Sequence, residues 1–285
     1  MIWKCGTRVI HGTGQPLLMG ILNVTPDSFS DGGQFYRHGR LSVEAVLDHA
    51  VRLCGEGADL LDIGAESTRP GSRTVGADEE KKRLLPVIEA VRQTLEVPVS
   101  IDTYRAEVAK ESLLAGADII NDIFAGTFDE KMIPLIAETG AGYCLMHFQG
   151  TPETMQNHPH YENVTAEVAE FLAARKNVCL ENGVAPEQIV LDPGIGFGKN
   201  ADHNLTLLKE AAALHSLGFP LLYGVSRKRF LDALTGRDDS QTPEKRLPGT
   251  AAACLWLASQ GVQILRVHDV GEIRQALQVY QHCTK

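Results

Sequence analysis

Asp102, Asn121 and Asp192 each close a short apolar run, after Val97 to Ile101, Asp118 to Ile120 and Gln188 to Leu191 respectively. Two carboxylates and an amide brought together would match the donor edge of a planar, nitrogen-rich heterocycle. Carboxylates accept from ring N–H and exocyclic amino groups, and an amide both donates and accepts. The same residue types cap helices, so for each one alone both uses stand open. A second set is cationic and hydroxylic: Thr68, Arg69, Lys228, Arg266 and His268. Arg266 and His268 stand two apart on one run, which turns both side chains to one face. Side by side they would seat a phosphate or pyrophosphate; the alternative is that core carboxylates satisfy them. Asn23, Asp27 and Asp31 offer oxygen donors that suit Mg²⁺ bridging a phosphate, a cation that needs few protein ligands. Ordinary loop solvation explains Asp27 and Asp31 equally well.

These residues are scattered over the chain, so something must gather them. Eight short apolar runs end on Asn23, Glu66-Ser67-Thr68-Arg69, Asp102, Asn121, His147, Asp192, Ser226-Arg227-Lys228 and His268, and helical patterns alternate with them. The helical candidates are 42–56, 78–95, 104–115, 129–139, 162–182, 201–215, 243–260 and 270–281. Runs apolar on both faces fit strands covered by helices, and their alternation with helices implies parallel βα units. At 285 residues, eight units fit a closed (β/α)8 TIM barrel in one domain. A short hairpin is expected ahead of it, around Val9 to Gly14. In such a barrel every strand C-terminus opens on one mouth. The stretches 24–41 and 66–77 are long for connectors and read as functional loops over that mouth. In Asp192 to Lys199, three glycines allow close backbone approach, and Phe197 can stack on a flat ring.

The formal charge of −9 argues against nucleic acid or an acidic membrane surface as the main partner. No run of apolar residues is long enough to span a membrane, and the first residues lack the apolar core of a signal peptide. Six cysteines without paired spacing suggest buried thiols in a reducing, cytoplasmic setting. The histidines show no metal-ligand spacing, and no nucleophilic triad is legible.

The motifs resemble those of the dihydropteroate synthases, folate-pathway enzymes targeted by sulfonamide drugs. The resemblance rests on Met19-Gly20-Ile21-Leu22-Asn23-Val24-Thr25-Pro26-Asp27-Ser28-Phe29-Ser30-Asp31-Gly32-Gly33 and on Asp62-Ile63-Gly64-Ala65-Glu66-Ser67-Thr68-Arg69-Pro70-Gly71. It continues through Ser100 to Thr103, Ile120 to Ile123, Leu145 to His147 with Gln149 to Pro152, Asp192 to Lys199, Ser226 to Lys228 and Arg266 to Asp269. The motifs follow the family's order from about residue 17 onward and are highly specific together.

The resemblance implies condensation of 6-hydroxymethyl-7,8-dihydropterin pyrophosphate with p-aminobenzoate to give 7,8-dihydropteroate. It implies that Asp102, Asn121, Asp192 and Lys228 hold the pterin, with Met146 and Phe197 packing on it. Asn23, Arg266 and His268 are implied for the pyrophosphate, with Mg²⁺ near Asn23 and Asp31. Phe29, Thr68, Arg69 and Pro70 belong to the loops that shape the p-aminobenzoate pocket, and a homodimer is implied. Ala65 stands where the family usually has a second glycine. Arg229 stands where many members have serine, beside the expected p-aminobenzoate carboxylate. A folate methyl transferase barrel would share the pterin set but does not need the pyrophosphate seat. A non-catalytic pterin-binding paralogue would bind pterin without p-aminobenzoate-dependent pyrophosphate release.

Overall fold

The computed structural model describes residues 1–25, 35–37, 40–66, 74–150, 159–239 and 242–284. An antiparallel hairpin comes first, β1 (Ile2–Cys5) with β2 (Arg8–His11). Its turn is Gly6-Thr7, not the glycines at 12 and 14. Gly6 takes φ +63°, the left-handed conformation that a two-residue hairpin loop requires at its first position. Alternation in β1 buries Trp3 and Cys5. The Trp3 indole N–H donates to Gln188 O at 2.8 Å, which fastens the hairpin to the underside of the sheet.

β3 (Leu17–Asn23) begins the main sheet, and a two-residue pairing of β4 (Tyr36–Arg37) with β5 (Arg40–Leu41) lies in the long loop after it. Then follow α1 (Val43–Gly55), β6 (Leu60–Gly64), α2 (Ala77–Thr94), β7 (Val99–Asp102), α3 (Ala106–Leu114), β8 (Ile119–Asp122), α4 (Met132–Thr139), β9 (Gly142–Met146), α5 (Val164–Glu181) and β10 (Ile189–Asp192). The chain ends with α6 (Ala201–Lys209), β11 (Leu222–Tyr223), α7 (Phe230–Thr235), α8 (Leu247–Ser259), β12 (Ile264–Val267) and α9 (Val270–Thr284). Eight parallel strands run in the order β10-β9-β8-β7-β6-β3-β12-β11, and a bridge between Leu191 and Leu221 joins the two edges. This is the expected TIM barrel with its N-terminal hairpin.

Some of the helices begin where a side chain satisfies a free N–H group. Ser42 Oγ accepts from Ala45 N ahead of α1, and Asn163 Oδ1 from Ala166 N ahead of α5. Three helical expectations change. The pattern over 201–215 breaks after Lys209 into a 3₁₀ segment, Ala211–Leu217, and that over 243–260 starts as 3₁₀ at Pro243–Arg246. α7 was absent from the helical candidates because six residues are too few to display a period.

Two apolar layers hold the barrel. The larger lies between strands and helices, with Leu22, Leu61, Ile101, Ile120, Leu145 and Leu191 fully buried against helical residues such as Val46 and Leu84. The smaller fills the interior at the bottom, where Met19, Leu60, Ile119, Cys144, Val190, Leu222 and Ile264 meet Trp3. The top of the interior is polar. Among the described residues no helix is long and apolar enough to cross a membrane.

Candidate active site

Strand register puts Asn23 opposite Gly64, Gly64 opposite Asp102, and Asp102 opposite Asn121, so four adjacent strands present these positions at one level. Gly64 leaves room at the centre. A Cβ there would sit 3.4 Å from Asp102 Cβ and 3.6 Å from Asn23 Oδ1. Arg266 starts lower on β12, opposite Met19, and its length carries the guanidinium up to this level. Its Nε donates to Asp62 Oδ2 at 2.6 Å and its Nη2 to Asp102 Oδ2 at 3.0 Å. Asn121 Nδ2 donates to the same Asp62 oxygen at 3.2 Å, and Asp62 Oδ1 has no hydrogen-bond partner among the described residues.

Burial pushes the Asp102 carboxyl up to about 7, although Arg266 favours its charged form; Asp62 adds to the rise. Asp102 is therefore poised between its two protonation states near neutrality. Neither Asp102 nor Asn121 caps the helix after it. α3 has Arg105 at its N-cap with no side-chain bond. The loop after β8 is fastened by Asp122, whose carboxylate accepts from Phe124 N, Gly126 N and Tyr143 Oη.

Asp192 and Met146 are register partners at the ends of β10 and β9. Asp192 Oδ1 accepts from Gly194 N at 2.7 Å, so one carboxylate oxygen shapes the glycine-rich turn. Burial raises the Asp192 pKa, while Lys228 draws it back. Gly194, with φ +69°, has no room for a side chain, because a Cβ would lie 1.8 Å from His147 O. This glycine thus serves close contact between two backbone segments and not only contact with a ligand. Lys228 lies 4.7 Å over the Phe197 ring and donates to Ile195 O. Burial brings Lys228 down to about 8, opposed by Asp192. Met146 packs with Tyr104, Ile123 and Phe124, and Phe197 borders the same cluster.

His268 stands just beyond β12, where its Nδ1 lies 3.0 Å from Ser226 Oγ. Arg227 takes φ +58°, a strained conformation for a long side chain. It is held there by an ion pair with Asp269, by its N–H to Thr250 Oγ1 at 3.1 Å, and by Arg246 on its carbonyl at 2.9 Å. This fixes the backbone that leads into Lys228. Arg229 is exposed at the start of α7. Phe29, Asp31, Thr68, Arg69 and Pro70, with Asp27, lie outside the described residues.

The structure thus brings Asn23, Asp102, Asn121, Met146, Asp192, Phe197, Lys228, Arg266 and His268 to one end of the barrel. Asn23 Oδ1 is an oxygen donor facing the space over Gly64, which fits a Mg²⁺ held largely by water and substrate oxygens. Among the described residues no three His, Cys, Asp or Glu side chains form a metal cluster. Sequence reasoning assigned no role to Asp62. Its signal was a carboxylate inside the otherwise apolar Leu60–Gly64 run, fully buried in the structure.

This parallel barrel, with the carboxylates of Asp62, Asp102 and Asp192, an amide and a lysine beside an aromatic wall at its mouth, belongs with the pterin-binding enzymes by the match of its sequence to their family. A family model described as pterin binding enzyme matches residues 19–268. The dihydropteroate synthase of Synechocystis sp. is 46% identical over 262 residues, 92% of this chain and 88% of that protein. The Yersinia pestis dihydropteroate synthase solved with a sulfonamide drug is 40% identical, with a TM-score of 0.92 and 99% of both chains covered. The Xanthomonas albilineans enzyme in complex with 7,8-dihydropteroate is 37% identical, with a TM-score of 0.84 over 99% of this chain and 98% of that one. The chain belongs to the dihydropteroate synthase family.

Proposed function

We propose that this protein joins 6-hydroxymethyl-7,8-dihydropterin pyrophosphate to p-aminobenzoate, forming 7,8-dihydropteroate and releasing pyrophosphate. The observation that carries the reading is the convergence of Asp102, Asn121, Asp192 and Lys228 at one mouth, with Arg266 among the carboxylates. Asp192 and Asn121 bind the pterin's donor edge, Lys228 faces its acceptors, and Met146 and Phe197 cover the ring. Arg266, His268 and Asn23 meet the pyrophosphate. Breaking the C–O bond leaves positive charge on the pterin methylene and ring, and an ionised Asp102 stabilises it. The p-aminobenzoate amine then attacks that carbon and loses a proton. Bound Mg²⁺ would be held by Asn23 with Asp31 and would neutralise charge on the leaving group. Phe29, Thr68, Arg69 and Pro70 are assigned to p-aminobenzoate, with Arg229 beside its carboxylate.

A cytoplasmic homodimer is the proposed setting. Free cysteines at all six positions support a reducing compartment. Leu234, Trp256 and Val279, exposed on α7, α8 and α9, support association through the later helices. The test is pyrophosphate release from the pterin substrate with Mg²⁺, with and without p-aminobenzoate. Release that depends on p-aminobenzoate and yields dihydropteroate is expected, and pterin binding without it would refute the reading.

A further inference from the structure

Lys199 closes the glycine-rich turn and takes part in no step above. It is only 2% exposed. Its Nζ donates to Gly194 O and Phe197 O, both at 3.0 Å, and lies 2.9 Å from His147 Nδ1. An ammonium has three protons to donate, and these three acceptors use them all. None of the acceptors is charged: burial and Lys199 itself push His147 down to about 2, which leaves its ring neutral. A buried cation whose direct acceptors are all neutral is costly, and burial draws the lysine well below its ordinary pKa, opposed by the charge of Asp192.

The geometry points to a positioning role, in which Lys199 and His147 clasp the turn from Gly194 to Phe197 against the end of β9 and so set where Phe197 and Lys228 meet the pterin. The turn carries Phe197 directly. It also carries Ile195 O, which accepts from Lys228 Nζ, so displacing the turn moves both groups. From the other side Asn204 Oδ1 accepts from Gly196 N at 2.7 Å. The clasp therefore determines whether the turn can settle onto His147 O, a contact already so close that only glycine fits at 194. The inference rests on the pterin assignment made above.

Lys199→Met keeps the chain length and removes the donors. His147→Leu removes one acceptor, and His147→Gln restores one. The dissociation constant of dihydropterin pyrophosphate is read by calorimetry on folded protein, beside kcat, both KM values and the melting temperature. Displacing reacting or binding groups by about 1 Å costs up to about 100-fold. Lys199→Met is thus expected to weaken pterin binding by about 10-fold or more with the p-aminobenzoate KM within about twofold. His147→Gln should lie nearer wild type than His147→Leu. A lowered melting temperature with wild-type pterin affinity in the folded variant would overturn the inference. Should Lys199→Met not fold, the two His147 variants are read by the same criterion. Wild-type protein that binds pterin but releases no pyrophosphate overturns the catalytic reading alone, because the clasp is measured by binding.

Discussion

Asp102→Asn separates what the carboxylate does for catalysis from what it does to the fold. Its rise from 3.8 to about 7 corresponds to about 4 kcal/mol against the charged form, at about 1.4 kcal/mol for each tenfold change. Arg266 is already included in that balance. The folded state holds this proton more tightly than the unfolded chain does. The contribution is therefore fully present below about pH 4 and is lost as pH rises from about 4 to about 7. Asparagine has no proton to lose, and its Oδ1 still accepts from Arg266 Nη2. The charged hydrogen bond to Arg266 is already weighed in that net figure. At pH 8 the variant should therefore be more stable than wild type, by up to about 4 kcal/mol. Turnover should fall about 100- to 1,000-fold, as when one group facing developing charge is removed. Thermal melts at pH 5 and pH 8, set beside coupled pyrophosphate release, check both halves. Turnover within about fivefold of wild type would sink the electrostatic role. A melting difference between the two proteins that does not change with pH would sink the account of burial.

Asp62→Ala leaves Arg266 with a single carboxylate and Asn121 without its acceptor. About 3 kcal/mol of stability should be lost in chemical denaturation, and kcat/KM should drop more than the folded fraction accounts for. Lys228 loses its charge as pH rises through about 8, so the wild-type pterin affinity should weaken above that pH. In Lys228→Met the affinity should be low and flat from pH 7 to pH 9; a surviving basic limb would assign it to another group. Trp3→Ala removes the plug under the barrel and should cost about 3–5 kcal/mol, yet leave both KM values unchanged. A shifted KM would contradict the separation of barrel floor from mouth.

The strands were legible because each is short, apolar on both faces and stopped by a polar residue. Asn23, Asp102 and Asp192 are the last residues of their strands for that reason. Helix ends were less legible where tertiary packing overrides periodicity, as in the 3₁₀ segment after Lys209. The hairpin turns at Gly6 and not in the stretch Val9 to Gly14, because that register buries Trp3 and Cys5 against the barrel floor. Asp62 sits inside the otherwise apolar Leu60–Gly64 run. Its use depends on Arg266, 204 residues away, and no local pattern encodes such a partner.

The sequence by itself determined the alternation of strands and helices, the side-chain types at the strand ends, and hence a barrel whose mouth suits a planar, nitrogen-rich heterocycle. These follow from local periodicity and from the rule that parallel strands end on one face. Tertiary structure alone decided that Asn23, Gly64, Asp102 and Asn121 share one level, that Asp122 and not Asn121 fastens its loop, and that Lys199 clasps the glycine turn. It also decided the protonation balance of Asp102, Asp192 and Lys228. Those outcomes depend on strand register, on distances between residues far apart in the chain, and on removal of water, none of which is a property of a short stretch of sequence.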